Sequence, residues 1–324
     1  MNATAPTHGS NLGSSATSAT PELPAPVSGE RHDIDSFAGR LTYWAASSEA
    51  NAAGTPLLLI HSINAAGSAY EIKPIYEHYA KSRPVYAIEL PGFGHSSRGK
   101  RQYTIRMMTD AVHAAVGEIR KRHGEAPIDA AALSLGCEFL ARAAEETPGV
   151  FRSLALISPT GFDGRSVRWV RGSRAIPWLH SFFEVPLWSE AFWRLLTTRA
   201  VIGWFLKKTF GSPKFDKGLL DYDYVTTHQP GAQHAPYYFV SGYLFSQDVL
   251  RIYQELPMPV WFSHGVRGDF VDYARKDSVE GKPNWSVTVF QTGAMPHFEL
   301  PEDFMRSYDE FLARVSIAPV AETV

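Results

Sequence analysis

The sequence predicts an α/β fold: a mostly parallel central sheet flanked by helices, with a helical cap inserted late in the chain. Three observations carry this. Short continuous apolar runs recur, such as Leu57-Leu58-Leu59-Ile60 and Ala130-Ala131-Ala132-Leu133, the pattern of strands covered on both faces. Helix-length amphipathic segments alternate with them, which argues for parallel strands joined by crossovers. From about residue 164 to 255 the alternation stops, and no convincing strand pair can be read there.

Residues 1–30 are rich in Ala, Ser, Thr, Pro and Gly. They have few large side chains to offset ordering entropy and read as a flexible tail. Strands are expected at 40–45, 56–63, 84–90, 128–133, 153–158, 259–264 and 285–291. Helices are expected at 66–80, 105–122, 135–146 and 302–315. The core is therefore 31–163 with 256–324, and the cap is 164–255. The cap holds Trp169, Trp178, Trp188, Trp193 and Trp204, interleaved with Phe182, Phe183, Phe192, Phe205 and Phe210. These faces must bury against the core, a second subunit in a homodimer, or a substrate. Their density favours a chamber for an apolar or aromatic small molecule over a membrane-docking surface.

Composition excludes several classes. A net charge of −2 over 324 residues, with no basic stripe, argues against nucleic acid as a partner. The basic run Arg120-Lys121-Arg122-His123 before Gly124 reads as a helix end. The single cysteine, Cys137, allows neither an internal disulfide nor a cysteine metal cluster, so a reducing, cytoplasmic location is expected. No apolar run reaches the roughly 18 residues of a membrane span, and the N-terminus lacks the pattern of a secretory signal. Gly92-Phe93-Gly94 lacks the third glycine of a dinucleotide loop. No cofactor is expected.

The chemistry is concentrated at Ala132-Leu133-Ser134-Leu135-Gly136. An apolar strand runs into Ser134 and a helix begins just after it, the small-x-Ser-x-Gly arrangement of a nucleophile elbow. The residues two before and two after the serine crowd a strained turn and must be small. The helix N-terminus directs amides and positive dipole at developing negative charge. The alternative is that Ser134 simply caps the helix.

Four segments, LLLIHSINAAGSAYE, VYAIELPGFGHSS, AALSLGCEFLARAA and LALISPTGF, resemble successive landmarks of the α/β-hydrolase family, in its order and spacing. The resemblance covers roughly 36–162 and 256–315. It implies a serine hydrolase working through an acyl-enzyme on Ser134, with the backbone amides of Ile63 and Leu135 as the oxyanion hole. His61 would pack the oxyanion loop, and His95 would lie on a loop surface. The family order Ser…Asp…His points to Asp269, or next Asp272, as the acid. Its usual histidine position falls on Ala294, three residues before His297. Either His297 is the base from a reshaped loop, or the triad is degenerate. Cys137, His228 and His234 are weaker candidates. The expected reaction is hydrolysis of a carboxylic ester, thioester or lactone. The same scaffold also suits C–C bond hydrolysis, haloperoxidase-like chemistry, acyl transfer, or non-catalytic binding of an apolar ligand.

Overall fold

The computed structural model describes residues 21–36, 39–46, 54–163, 172–270 and 272–317. Trp169 and most of the expected tail lie outside these. The described part of the tail is not free: Val27 is buried, and the Ser28 amide and hydroxyl both donate to Glu77, each at 2.8 Å.

Eight strands form one sheet: β1 (Glu30–Ser36), β2 (Gly39–Ala46), β3 (Leu57–Ile60), β4 (Val85–Glu89), β5 (Ile128–Leu133), β6 (Phe151–Ile157), β7 (Val260–His264) and β8 (Trp285–Val289). Their order is β1-β2-β4-β3-β5-β6-β7-β8. β1 and β2 pair antiparallel, as do β2 and β4, and every later pair is parallel. β1 was not expected. Its sequence, ERHDIDS, is half charged because it lies at the sheet edge and buries little, where charge also discourages unwanted pairing.

The central strands show why continuous apolar runs are needed. Successive side chains point to opposite faces. Leu58 and Ile60 enter one core with α2 (Ile105–His123), α3 (Gly136–Glu146) and α9 (Val249–Glu255). Leu57 and Leu59 enter the other with α1 (Lys73–Tyr79) and α11 (Pro301–Ile317). A 3-10 turn at Ala69–Ile72 precedes α1, and α10 (Pro296–Glu299) precedes α11. α2 begins where the Thr104 hydroxyl accepts from the Met107 amide, and it ends at Gly124, whose φ is 70°. At the opposite end from the strand termini that carry Ser134, buried Asp129 pairs with Arg83 and Arg152 and accepts from Ser153 Oγ at 2.7 Å. Burial pushes its carboxyl up, but the two guanidiniums more than offset that and hold it below the usual range.

Between β6 and β7 lie α4 (Pro177–Phe183), α5 (Ser189–Leu196), α6 (Arg199–Phe210), α7 (Lys217–Thr227), α8 (His234–Val240) and then α9. The expected burial of the cap aromatics holds only in part. Trp193 and Phe210 are buried, but Trp178 is 71% exposed and Trp204 53%, and Phe182 and Phe205 also face outward. On these short helices, one face packs inward and the other remains in solvent. Among the described residues, no helix is long and apolar enough to cross a membrane, and no cluster of three or more His, Cys, Asp or Glu could hold a metal.

Candidate active site

Ser134 sits between β5 and α3 with φ 53°, a left-handed conformation that costs a non-glycine residue about 1–2 kcal/mol. The helix cap is Leu135, and no side chain caps α3. Ser134 is thus not the N-cap. Its amide donates to Ile157 O at 2.8 Å, fastening the turn to β6. A Cβ on Gly136 would lie 2.5 Å from His61 O, so the elbow presses directly on the loop after β3. Ala132 is fully buried beneath it.

That loop is held by a buried carboxylate which the sequence reading missed. Glu71 accepts from the Ser62 amide at 2.8 Å, from Ser62 Oγ at 3.0 Å and from Asn64 Nδ2 at 2.5 Å. Burial pushes its pKa up, partly offset by these bonds. His61 is also fully buried. Its Nε2 accepts from the Leu90 amide at 2.9 Å, so Nδ1 carries the hydrogen and donates to Ser62 O at 2.6 Å. Burial pulls its pKa down to about 4. His61 is a neutral packing residue, as its position suggested. Between these anchors, neither the Ile63 amide nor the Leu135 amide donates to an acceptor among the described residues, although both residues are buried.

His95 departs from expectation. It is not a free surface residue: its Nδ1 lies 2.9 Å from buried Glu89 Oε2, and its Nε2 lies 3.1 Å from Leu23 O. Loop geometry explains this, because a Cβ on Gly94 would collide with the Glu89 carboxylate. The chain therefore folds close over Glu89 and carries His95 inward.

The expected acid and base are not joined to Ser134 or to each other by hydrogen bonds. His297 is fully buried in α10, with Nε2 2.6 Å from Glu71 O and its ring against Phe298 and Phe304. Nε2 donates to that carbonyl, which leaves Nδ1 as a buried lone-pair nitrogen without a partner. Burial pulls the pKa down to about 4, against the opposing pull of the Glu71 carbonyl. Asp269 has a half-exposed side chain paired with Lys208 Nζ at 3.1 Å, and its amide donates to Lys208 O. Asp272 Oδ1 accepts from the Ala274 amide at 3.2 Å. The physical cause is the end of α6. The Ala294 amide donates to Thr209 O at 2.8 Å, and Cβ atoms on Gly293 or Gly211 would meet α6 or the 267–268 backbone. The α6 C-terminus thus packs against both loops that would have to present the acid and the base.

Two further groups near the elbow were not legible in sequence. Glu138, one turn into α3, accepts from Thr160 Oγ1 at 2.6 Å and from the Ser246 amide at 2.8 Å. Burial pushes its pKa up to about 7. Ser158, at the end of β6, is the other described non-glycine residue with positive φ, at 47°.

The sequence model of the alpha/beta hydrolase fold matches residues 55–194. No curated protein matches the chain. Among solved structures, a probable hydrolytic enzyme from Pseudomonas aeruginosa PAO1 is similar at 19% identity and TM-score 0.67, over 87% of this chain and 93% of that one. The Cif epoxide hydrolase from Acinetobacter nosocomialis is similar at 19% and 0.66, over 87% and 88%. A thermophilic esterase from Thermogutta terrifontis is similar at 16% and 0.64, over 89% and 99%. At such identities the likeness is one of fold.

Proposed function

We propose that this chain, which has the α/β-hydrolase fold and matches that family's model over residues 55–194, hydrolyses an ester-like bond of an apolar small molecule, with Ser134 as the nucleophile. The bond is a carboxylic ester, thioester or lactone. The observation that carries this reading is the backbone at Ser134, held at φ 53° on a strand-to-helix turn. A strained residue of this kind persists only where its surroundings enforce it, and such residues cluster at functional sites. Two buried amides without acceptors, those of Ile63 and Leu135, add support.

In this reading Ser134 Oγ bonds to the substrate carbonyl carbon. The carbonyl electrons move onto oxygen, where the amides of Ile63 and Leu135 hold the oxyanion. Each such donor is worth about 3 kcal/mol of barrier. Expulsion of the leaving group gives the acyl-enzyme, and water then releases the acid. The apolar substrate class is read from the aromatic density of the cap sequence, which carries Trp178, Trp188, Trp193 and Trp204. Asp269 and His297 keep Lys208 and Glu71 as partners, so this reading assigns the proton relay to neither.

Labelling with a fluorophosphonate probe tests the reading. Wild type takes the label and Ser134→Ala does not. Equal labelling of the two proteins overturns it. A second reading, binding of an apolar ligand without turnover, is favoured by Ala294 at the family's base position. It requires tight ligand binding, no turnover across an ester panel, and chemistry restored by Ala294→His.

A further inference from the structure

The sheet register brings three residues side by side beyond the strand ends. Leu133 pairs with Ile157, and Ile157 with Ser263. The next residues, Ser134, Ser158 and His264, therefore occupy the C-terminal ends of adjacent parallel strands. At a strand spacing of about 4.8 Å, Ser158 stands midway across a gap of roughly 10 Å between the backbones of Ser134 and His264. The hydrogen bonds from Ser134 N to Ile157 O (2.8 Å) and from Ser158 N to Ser263 O (2.7 Å) lock this row together.

We propose that Ser158 and His264 form the proton path of the hydrolytic site, with Ser158 as the relay and His264 Nε2 as the acceptor. As Ser134 Oγ bonds to the carbonyl carbon, its proton passes to Ser158 Oγ, and the proton already on Ser158 passes to His264. The imidazolium returns a proton along the same row to the leaving alkoxide or thiolate. The cycle repeats with water in place of the serine hydroxyl. This inference rests on Ser134 being the nucleophile.

Four observations support it. First, His264 is in the correct tautomer. Its Nδ1 lies 2.7 Å from Gly265 O, so Nδ1 carries the hydrogen and Nε2 holds the lone pair, a common device for fixing a base. Second, His264 Nε2 is buried without a hydrogen-bond partner among the described residues. Buried polar atoms are normally bonded. Around that nitrogen the Tyr273 ring lies 4.3 Å from the His264 ring, and the Tyr273 hydroxyl is turned toward Ser158, close enough for Ser158 to lower its pKa against the rise that burial causes. Third, Ser158 shares the left-handed backbone of Ser134, at φ 47°. Two adjacent strained serines suggest one enforced device. Fourth, burial pulls the His264 pKa below the ordinary histidine value, and the charged groups facing it, Lys276 and Glu280, oppose one another and are themselves paired at 3.6 Å.

The test measures fluorophosphonate labelling rates between pH 5 and 9 for wild type, Ser134→Ala, His264→Gln and Ser158→Gly, each checked for folding by thermal unfolding. Glycine tolerates the positive φ at 158, so Ser158→Gly removes the hydroxyl while relieving strain. A purely structural serine at this position would not show a rate loss on such a change. We expect His264→Gln and Ser158→Gly to slow labelling about 100-fold or more, the lower range of general acid–base catalysis. The pH step in the wild-type profile should vanish in His264→Gln. If His264→Gln fails to fold, Ser158→Gly decides. Labelling within about twofold of wild type in the folded variants, with Ser134→Ala inert, overturns the proton path and leaves Ser134 as nucleophile. Labelling of Ser134→Ala overturns the underlying reading itself.

Discussion

Replacing His297 by Gln should change how stability responds to acid, by an amount that follows from its burial. His297 is fully enclosed, and its pKa is drawn from 6.5 to about 4. Between those values the unfolded chain binds a proton that the folded chain refuses, so stability falls as pH drops through 6.5 and has fallen fully by about 4. A depression of about 2.5 units is worth roughly 3 kcal/mol in total. From pH 7 to pH 5 the loss is about 2 kcal/mol. Gln cannot titrate, yet it can still offer an N–H to Glu71 O. Other titrating groups, including Glu138 with its opposite sign, occur in both proteins and cancel in the comparison. Urea unfolding of wild type and His297→Gln at both pH values measures the gap directly. The wild-type advantage should shrink by about 2 kcal/mol on acidification. A gap that does not change with pH would refute the argument that His297 is held neutral by burial, and would return it to the list of available bases.

Three other changes probe the frame and the site. Gly136→Ala places a Cβ against His61 O and should both destabilise the fold and abolish probe labelling. Normal labelling by that variant would mean that the elbow is looser than described. Asp129→Ala leaves Arg83 and Arg152 without their buried partner and should cost about 3–5 kcal/mol in chemical denaturation. A cost below about 1 kcal/mol would show the arginines relaxing to solvent. Ala294→His should bring ester turnover only if the end of α6 gives way, because the 294 amide is bonded to Thr209 O. Fast turnover in that variant with the α6 contact intact would contradict the packing described for this loop.

The parts of the fold that could be read from sequence were those fixed locally. Leu57–Ile60 and, within β5, Ala130 to Leu133 are continuous apolar runs because both sheet faces are covered, and the elbow is legible because its crowding demands small residues around Ser134. β1 escaped because a mostly polar edge strand has no apolar pattern to reveal it. The site was harder because its partners are distant in sequence. Glu71 looks like an ordinary helix-start acid until Ser62 and Asn64 are seen to bond to it. His297 is the histidine nearest the family's base position, yet its partner is a backbone carbonyl 226 residues away, which no local pattern records. His264 reads as the last residue of a strand. Only the register across β5, β6 and β7 sets it in a row with Ser134. The outward-facing Trp178 and Trp204 show a similar limit, since aromatic density in a segment does not say which face of a short helix packs inward.

The most direct test of the central claim is intact-mass analysis of the full chain after exposure to a fluorophosphonate probe, with the adduct located by peptide mapping. The account predicts one adduct per chain, on the peptide containing Ser134, and none in Ser134→Ala. An adduct on any other residue, or undiminished labelling of Ser134→Ala, would contradict it.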